Sequence, residues 1–153
     1  MMKKITVLLI ILFFTTNCGF SPIYSNKNNY NISIEELSLT GDRTLNNYLR
    51  SNLNRYKNNE EATKKISLIV ATDYQKNTLS KDLTGTVNRY ELFAEVVFTI
   101  MPNNQILVFS QRKIMENMNN KSDENNFENN TKQTFANIIA SELINKLAEI
   151  KWL

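Results

Sequence analysis

The residue in this chain whose type and position specify a reaction is Cys18. It follows Lys3 and Lys4, an apolar run from Ile5 to Phe14 and the small polar pair Thr15-Thr16, which is the order of a bacterial export signal. The apolar run is too short to span a bilayer as a helix. A cysteine placed there is where a lipoprotein signal peptidase cuts, leaving a thiol that takes a diacylglycerol and an amine that takes a third acyl chain. Each buried CH₂ contributes about 0.8 kcal/mol, so several chains hold a protein on a membrane where one would not. Thr15 and Asn17 stand where a lipobox usually carries an aliphatic residue and a Gly, Ala or Ser, so ordinary cleavage that leaves Cys18 a free thiol is the alternative. Gly19 is not the Asp that commonly retains such proteins in the inner membrane, which makes the periplasmic face of the outer membrane the expected location.

Beyond Cys18 the sequence offers little for catalysis. It contains no His, and Cys18 is its single Cys, so neither a zinc site of the usual kind nor a Ser-His or Cys-His nucleophile can be assembled. Gly19, Gly41 and Gly85 are too scattered for a phosphate-cradling loop. Glu35-Glu36 and Glu60-Glu61 are neighbours on polar segments, whereas glycosidase chemistry needs carboxylates facing each other across a cleft. The expectation is a protein that is not an enzyme and carries no metal or cofactor. With Lys3 and Lys4 removed along with the signal, the net charge falls from +3 to about +1. Nucleic-acid binding thereby loses its electrostatic support. No intrachain disulfide is possible, so burial and backbone pairing alone must hold the fold.

The elements follow from hydrophobic periodicity, and their expected division is a signal over 1–17, a lipidated tether over 18–31 and one domain over 32–153. A strand is expected over Ile32 to Leu39, where Ile32 and Ile34 alternate, then slip by one residue at Glu35-Glu36 before Leu37 and Leu39, the mark of a bulge. Thr40-Gly41-Asp42 supplies a cap, and Leu45, Tyr48, Leu49, Leu53 and Tyr56 recur at helical spacing. Asn58 to Lys64 reads as a turn. Ile66, Leu68, Val70, Thr72 and Tyr74 lie on one face of a second strand, and Asn77 to Gly85 reads as a polar loop. Val87 to Met101 alternates over its whole length, and Pro102-Asn103-Asn104 turns it back into Ile106 to Met115. Asn117 to Asn130, polar apart from Met118 and Phe127, reads as a mobile loop. A closing helix from Thr131 or Lys132 presents Phe135, Ile138, Ile139, Leu143, Leu147 and Ile150.

This order, β-α-β-β-β-α, predicts an α+β fold: a two-layer α/β sandwich with both helices packed on one face of a four-stranded sheet. The opposite face is then uncovered. Arg89, Phe93 and Val97 of the third strand lie on it, with Val108 or Phe109 from the fourth, and exposed apolar surface of this kind marks a partner contact unless the intervening charges suffice to solvate it.

Cys18-Gly19-Phe20-Ser21-Pro22-Ile23-Tyr24, the β-α-β order, the strand Thr86-Val87-Asn88-Arg89-Tyr90-Glu91-Leu92-Phe93-Ala94-Glu95-Val96-Val97-Phe98 and a closing amphipathic helix together resemble the lipopolysaccharide-assembly lipoprotein LptE family in its short alphaproteobacterial form. The resemblance spans nearly the whole mature chain and rests on the order and spacing of these segments. It implies a sandwich that plugs the lumen of the outer-membrane β-barrel LptD and assists passage of lipopolysaccharide to the cell surface, by binding without turnover. In that family basic residues in loops at one end of the sheet are thought to meet the anionic lipid, which makes Lys76, Lys81 and Lys121 the lipopolysaccharide-binding candidates. Tyr30, Tyr74, Tyr90 and Phe93 are aromatic residues available to a polar barrel lumen. The competing readings are a scaffold lipoprotein of another envelope complex, and a carrier of lipid or a small ligand.

Overall fold

A computed structural model describes residues 31–150. The export signal, Cys18, Tyr30 and all but the last residue of the tether lie outside the described residues. The elements run β1 (Ile32–Gly41), α1 (Arg43–Leu53) closed by a 3₁₀ turn (Asn54–Tyr56), β2 (Lys64–Lys81), β3 (Val87–Met101), β4 (Gln105–Glu116) and α2 (Lys121–Glu149). This is the expected β-α-β-β-β-α order, and the sheet runs β1-β2-β3-β4. β1 and β2 are parallel because α1 carries the chain back between them, whereas β2-β3 and β3-β4 are antiparallel hairpins.

Alternation assigns the faces. Leu68 and Val70 of β2, Leu92, Ala94, Val96, Phe98 and Ile100 of β3 and Met115 of β4 are buried against Leu45, Leu49 and Leu53 of α1 and Ile139, Leu143 and Leu147 of α2. The two helices thus cover one face. The slip in β1 is present as a register shift between Ile34 and Glu36, which keeps Ile32 and Ile34 buried and still turns Leu37 and Leu39 towards the core. Asp42 caps α1, its Oδ1 accepting from the Leu45 N–H at 2.7 Å. No helix among the described residues is long and apolar enough to cross a membrane.

Two stretches expected to be loops are regular structure. Asn77 to Lys81 continues β2 against Val87 to Glu91 of β3, with register shifts between Thr78 and Ser80 and between Ser80 and Lys81, and its polar residues reflect a hairpin end that is exposed to water. Only residues 82–86 turn the chain. There the Asp82 carboxylate accepts from the Thr84 N–H, the Thr84 hydroxyl and the Thr86 N–H at 2.7–2.9 Å, and Gly85 takes φ +85°. The second correction is larger: α2 begins at Lys121, about three turns before the expected start. Asn120 caps it through Ser122 N–H at 2.9 Å, and Asp123 and Glu124 suit the positive end of the helix dipole. Ile138, expected in the buried stripe, is 38% exposed.

Candidate functional site

The face of the sheet turned away from the helices carries five cross-strand rows: Ile69–Thr99–Ile106, Ala71–Val97–Val108, Asp73–Glu95–Ser110, Gln75–Phe93–Arg112 and Asn77–Glu91–Ile114. Its character changes along the strands. The end nearest Ile32 is aliphatic, with Ile69 48%, Val108 55% and Ile106 62% exposed. In the middle Asp73 and Glu95 stand directly opposite one another, a like-charge pairing that costs stability and is relieved on one side by Gln75, which donates to Asp73 at 2.7 Å. Beyond it the Arg112 guanidinium lies 6.0 Å from the centre of the Phe93 ring. Phe93 and Val97 are half-buried here and Arg89 is exposed. Of the two β4 alternatives, Val108 belongs to this face. Phe109 points into the core, edge-on to Phe98 with ring centres 5.9 Å apart.

A second cluster joins β2 to the start of α2. Lys76 bridges Glu124 and Glu128, the latter at 2.5 Å, and Lys121 meets Glu124 at 2.9 Å. The Lys76 ammonium also lies 4.5 Å from the Tyr90 ring centre. One turn further along α2, Lys132 pairs with Asp42 at 2.8 Å and sits 3.9 Å over the Tyr74 ring. The chain therefore ties the polar half of α2 to the sheet with charges and aromatic faces, where its other half uses Phe135, Ile139 and Leu143. Sequence reading missed Asp42, Glu124, Glu128 and Lys132 as a group. The available signal was the i,i+4 spacing of Glu124 and Glu128, together with Tyr74 and Lys76 lying on the core-facing side of β2.

The three basic candidates thus differ. Lys76 and Lys121 share the Glu124 carboxylate, and neither lies on a loop: Lys76 is a β2 residue and Lys121 opens α2. Lys81 is the last residue of β2 at the exposed hairpin end, and among the described residues it forms no ion pair. Arg89, in the adjacent cross-strand pair, donates to Ser80 at 3.1 Å.

Charge balance sets the pH range of the cluster. Burial opposes charge on Lys76, yet its hydrogen bonds to Glu124 and Glu128 hold its pKa above the usual lysine value. Lys121, then Lys76, hold Glu124 below the usual carboxylate range. Burial pushes Asp42 up, but Lys132 and the Leu45 and Thr44 N–H groups outweigh it and leave the carboxyl lowered. Burial, with Glu128 beside it, pushes the Tyr74 hydroxyl far up. Lowered carboxylates stabilise the fold above their unfolded values near about 4, and that contribution is lost as pH falls through the folded values. The raised Lys76 contributes below about 10.4 and is lost as pH rises through its folded value. The urea midpoint of the mature chain is therefore expected to be flat between about pH 5 and 8 and to fall below about pH 4, less steeply in Asp42→Asn. A midpoint unchanged down to about pH 3 would remove the carboxylates from this role.

Among the described residues no group of three or more Asp, Glu or Cys converges on a metal-sized site. A groove of about 180 Å³ between the helices is lined by Asn52, Arg55, Tyr56, Asn137, Ala140 and Ser141. Another of about 270 Å³ lies beside Ser33, Asn59 and Lys65.

These features define a class: a two-layer α+β sandwich with its helices on one side of a β1-β2-β3-β4 sheet and a mixed apolar and charged face on the other. No protein-family model and no curated protein matches the sequence. Solved structures do share the fold. The rare lipoprotein B from Shewanella oneidensis superposes with a TM-score of 0.54 at 22% identity, over 74% of this chain and 94% of that one. An uncharacterized lipoprotein B from Nitrosomonas europaea gives 0.51 at 13% identity over 78% and 86%, and a putative lipoprotein from Caulobacter crescentus 0.50 at 17% over 78% and 88%.

Proposed function

We propose that this chain is an LptE-type lipoprotein, held by acyl chains on Cys18 at the periplasmic face of the outer membrane, which seats in the LptD β-barrel and assists transfer of lipopolysaccharide. The observation that supports the reading is the likeness of the described fold to rare lipoprotein B from Shewanella oneidensis, beside the resemblance of the chain's segments to the LptE family. It joins an independent feature of the sequence, a cysteine at the end of an export signal. The open face adds a physical reason: a porin-like lumen is polar, and rows that alternate Val97 and Val108 with Asp73, Glu95 and the Phe93–Arg112 pair suit a mixed wall better than either water or lipid. Geometry also separates the two ends. β2 runs from Lys64, beside the start of β1, to Lys81, so the unpaired cation stands about 55 Å from the tethered end. Lys81 is accordingly the basic residue assigned to the anionic lipid, and Lys76 and Lys121 are assigned to holding α2.

A mild-detergent pull-down of the tagged full-length chain from its own envelope tests this. A large outer-membrane barrel in near-equal amount is the expected result, and Phe93→Ala should weaken its recovery. Recovery of other envelope proteins without a barrel would replace this reading with a scaffold role in another complex. The carrier reading is the less favoured, because the two grooves are small and polar-lined beside the cavities of roughly 300–1,000 Å³ that enclose small ligands.

A further inference from the structure

We infer that residues 121–131, about the first three turns of α2, are a strap that lifts from the sheet as one unit while the rest of the helix stays packed, and that Lys76 is its latch. The helix is held in two different ways along its length. Its buried apolar residues all lie between Phe135 and Leu147. Before them the buried residues are Glu124 and Thr131, both polar, and Phe127 is half-buried. α1 braces the same later part: Asp42 at its start meets Lys132, and Asn52 near its end donates to Asn137 at 2.8 Å. α1 therefore runs alongside α2 from Lys132 onward, and the strap reaches past its start.

What holds the strap is largely ionic. Lys76 bridges Glu124 and Glu128, the Tyr74 hydroxyl donates to Glu128 at 3.5 Å, and the Lys113 ammonium lies 4.8 Å from the centre of the Phe127 ring. Desolvation of the charges offsets much of their attraction, so a contact of this kind opens at a lower free energy than a packed apolar one. The junction favours opening as well. The Thr131 hydroxyl is buried with no hydrogen-bond partner among the described residues, a cost that hydration removes. Its neighbour Lys132 is fixed by Asp42 and Tyr74, which places the hinge at Thr131. Lifting uncovers a defined floor. Lys76, Leu92 and Lys113 form one helix-side row across β2, β3 and β4, and Thr78, Tyr90 and Met115 form the next. Leu92 and Met115 are fully buried, and exposing them is the cost that keeps the strap closed at rest. The open form presents Tyr90, Leu92 and Met115 as an apolar strip flanked by the freed ammonium groups of Lys76 and Lys113. This inference does not rest on the barrel reading.

Residue-resolved amide exchange of the mature chain in mild detergent provides the test. The first four N–H groups of a helix have no partner within it, so the readout is residues 125–131 against 135–147. Protection is expected to be uniform across 125–131, about 100-fold below that of 135–147, with a step at the hinge. Lys76→Met, which keeps the aliphatic stem and removes the charge, should lower protection of 125–131 about tenfold further and leave 135–147 unchanged. Adding Glu124→Leu and Glu128→Leu to that variant should raise protection of 125–131 above the unmodified chain, because apolar groups in their place pack without the desolvation cost. Protection that declines gradually towards residue 125 would be ordinary fraying and would overturn the proposal. So would equal protection over both ranges in the unmodified chain, or a Lys76→Met variant that lowers both ranges alike, since the helix would then open only with the whole fold. Because exchange is read on the isolated chain, failure to recover a barrel in the pull-down leaves its meaning intact.

Discussion

Gly41→Ala is expected to lower folding stability by about 3 kcal/mol or more, although it adds one methyl group. Gly41 ends β1 at φ +101°, a conformation that L residues adopt only with strain. A Cβ there would stand 1.8 Å from the Thr72 carbonyl oxygen and 2.8 Å from the Thr72 hydroxyl, so β1 would have to leave β2. The cost would spread, because the next residue does three jobs. Asp42 donates its N–H to that same Thr72 oxygen at 3.3 Å, caps α1 and holds Lys132 of α2. The control is Gly85→Ala at the hairpin tip, where φ is +85° but nothing lies within 4 Å of the added atom. It carries the conformational strain without the collision, about 1 kcal/mol. Urea unfolding of both variants of the mature chain measures the difference. Equal midpoints would mean that the β1-β2 junction relaxes freely and that Gly41 is not what sets the turn from strand to helix.

What the sequence disclosed of this fold was what local pattern controls. The bulge in β1 was legible because a single slip between Ile34 and Leu37 can be made compatible with burial in only one way, and the faces of β3 were legible because its residues alternate without interruption from Leu92 to Met101. Phe93 and Val97 followed from that alternation. The opening turns of α2 were not legible, since nothing apolar holds them apart from Phe127, beneath Lys113 at 4.8 Å. Their hold comes from Lys76, 48 and 52 residues away from Glu124 and Glu128. Polar residues satisfied by distant partners look, locally, like polar residues in water. For the same reason Lys76, Lys81 and Lys121 were indistinguishable as candidates until pairing separated them. Asn77 to Lys81 was misread because a strand exposed on both faces has no alternation to show.

The larger of the core effects is expected at Phe98, and its contrast with Phe93 on the same strand tests the division between the two faces. Phe98 is fully buried. It pairs with Val70 of β2 and Leu107 of β4 and meets Phe109 edge-on, so it joins three of the four strands beneath the helices. Phe98→Ala should cost about 3–5 kcal/mol, the transfer free energy of the ring plus a cavity that neighbouring strands cannot close without breaking register. Phe93 lies five residues earlier and therefore points the other way, half-buried beside Arg112. Phe93→Ala should cost no more than about 1 kcal/mol, losing one cation–π contact and some partly hydrated surface. Binding should rank the two in reverse. Under conditions where both remain folded, Phe93→Ala should reduce recovery of the barrel and Phe98→Ala should not. Denaturant curves and the pull-down, run on the same two proteins, read stability and partner contact separately. If Phe93→Ala proved as destabilising as Phe98→Ala, the open face would be part of the core of the isolated chain. If it left barrel recovery unchanged, the partner would have to meet this protein on another surface.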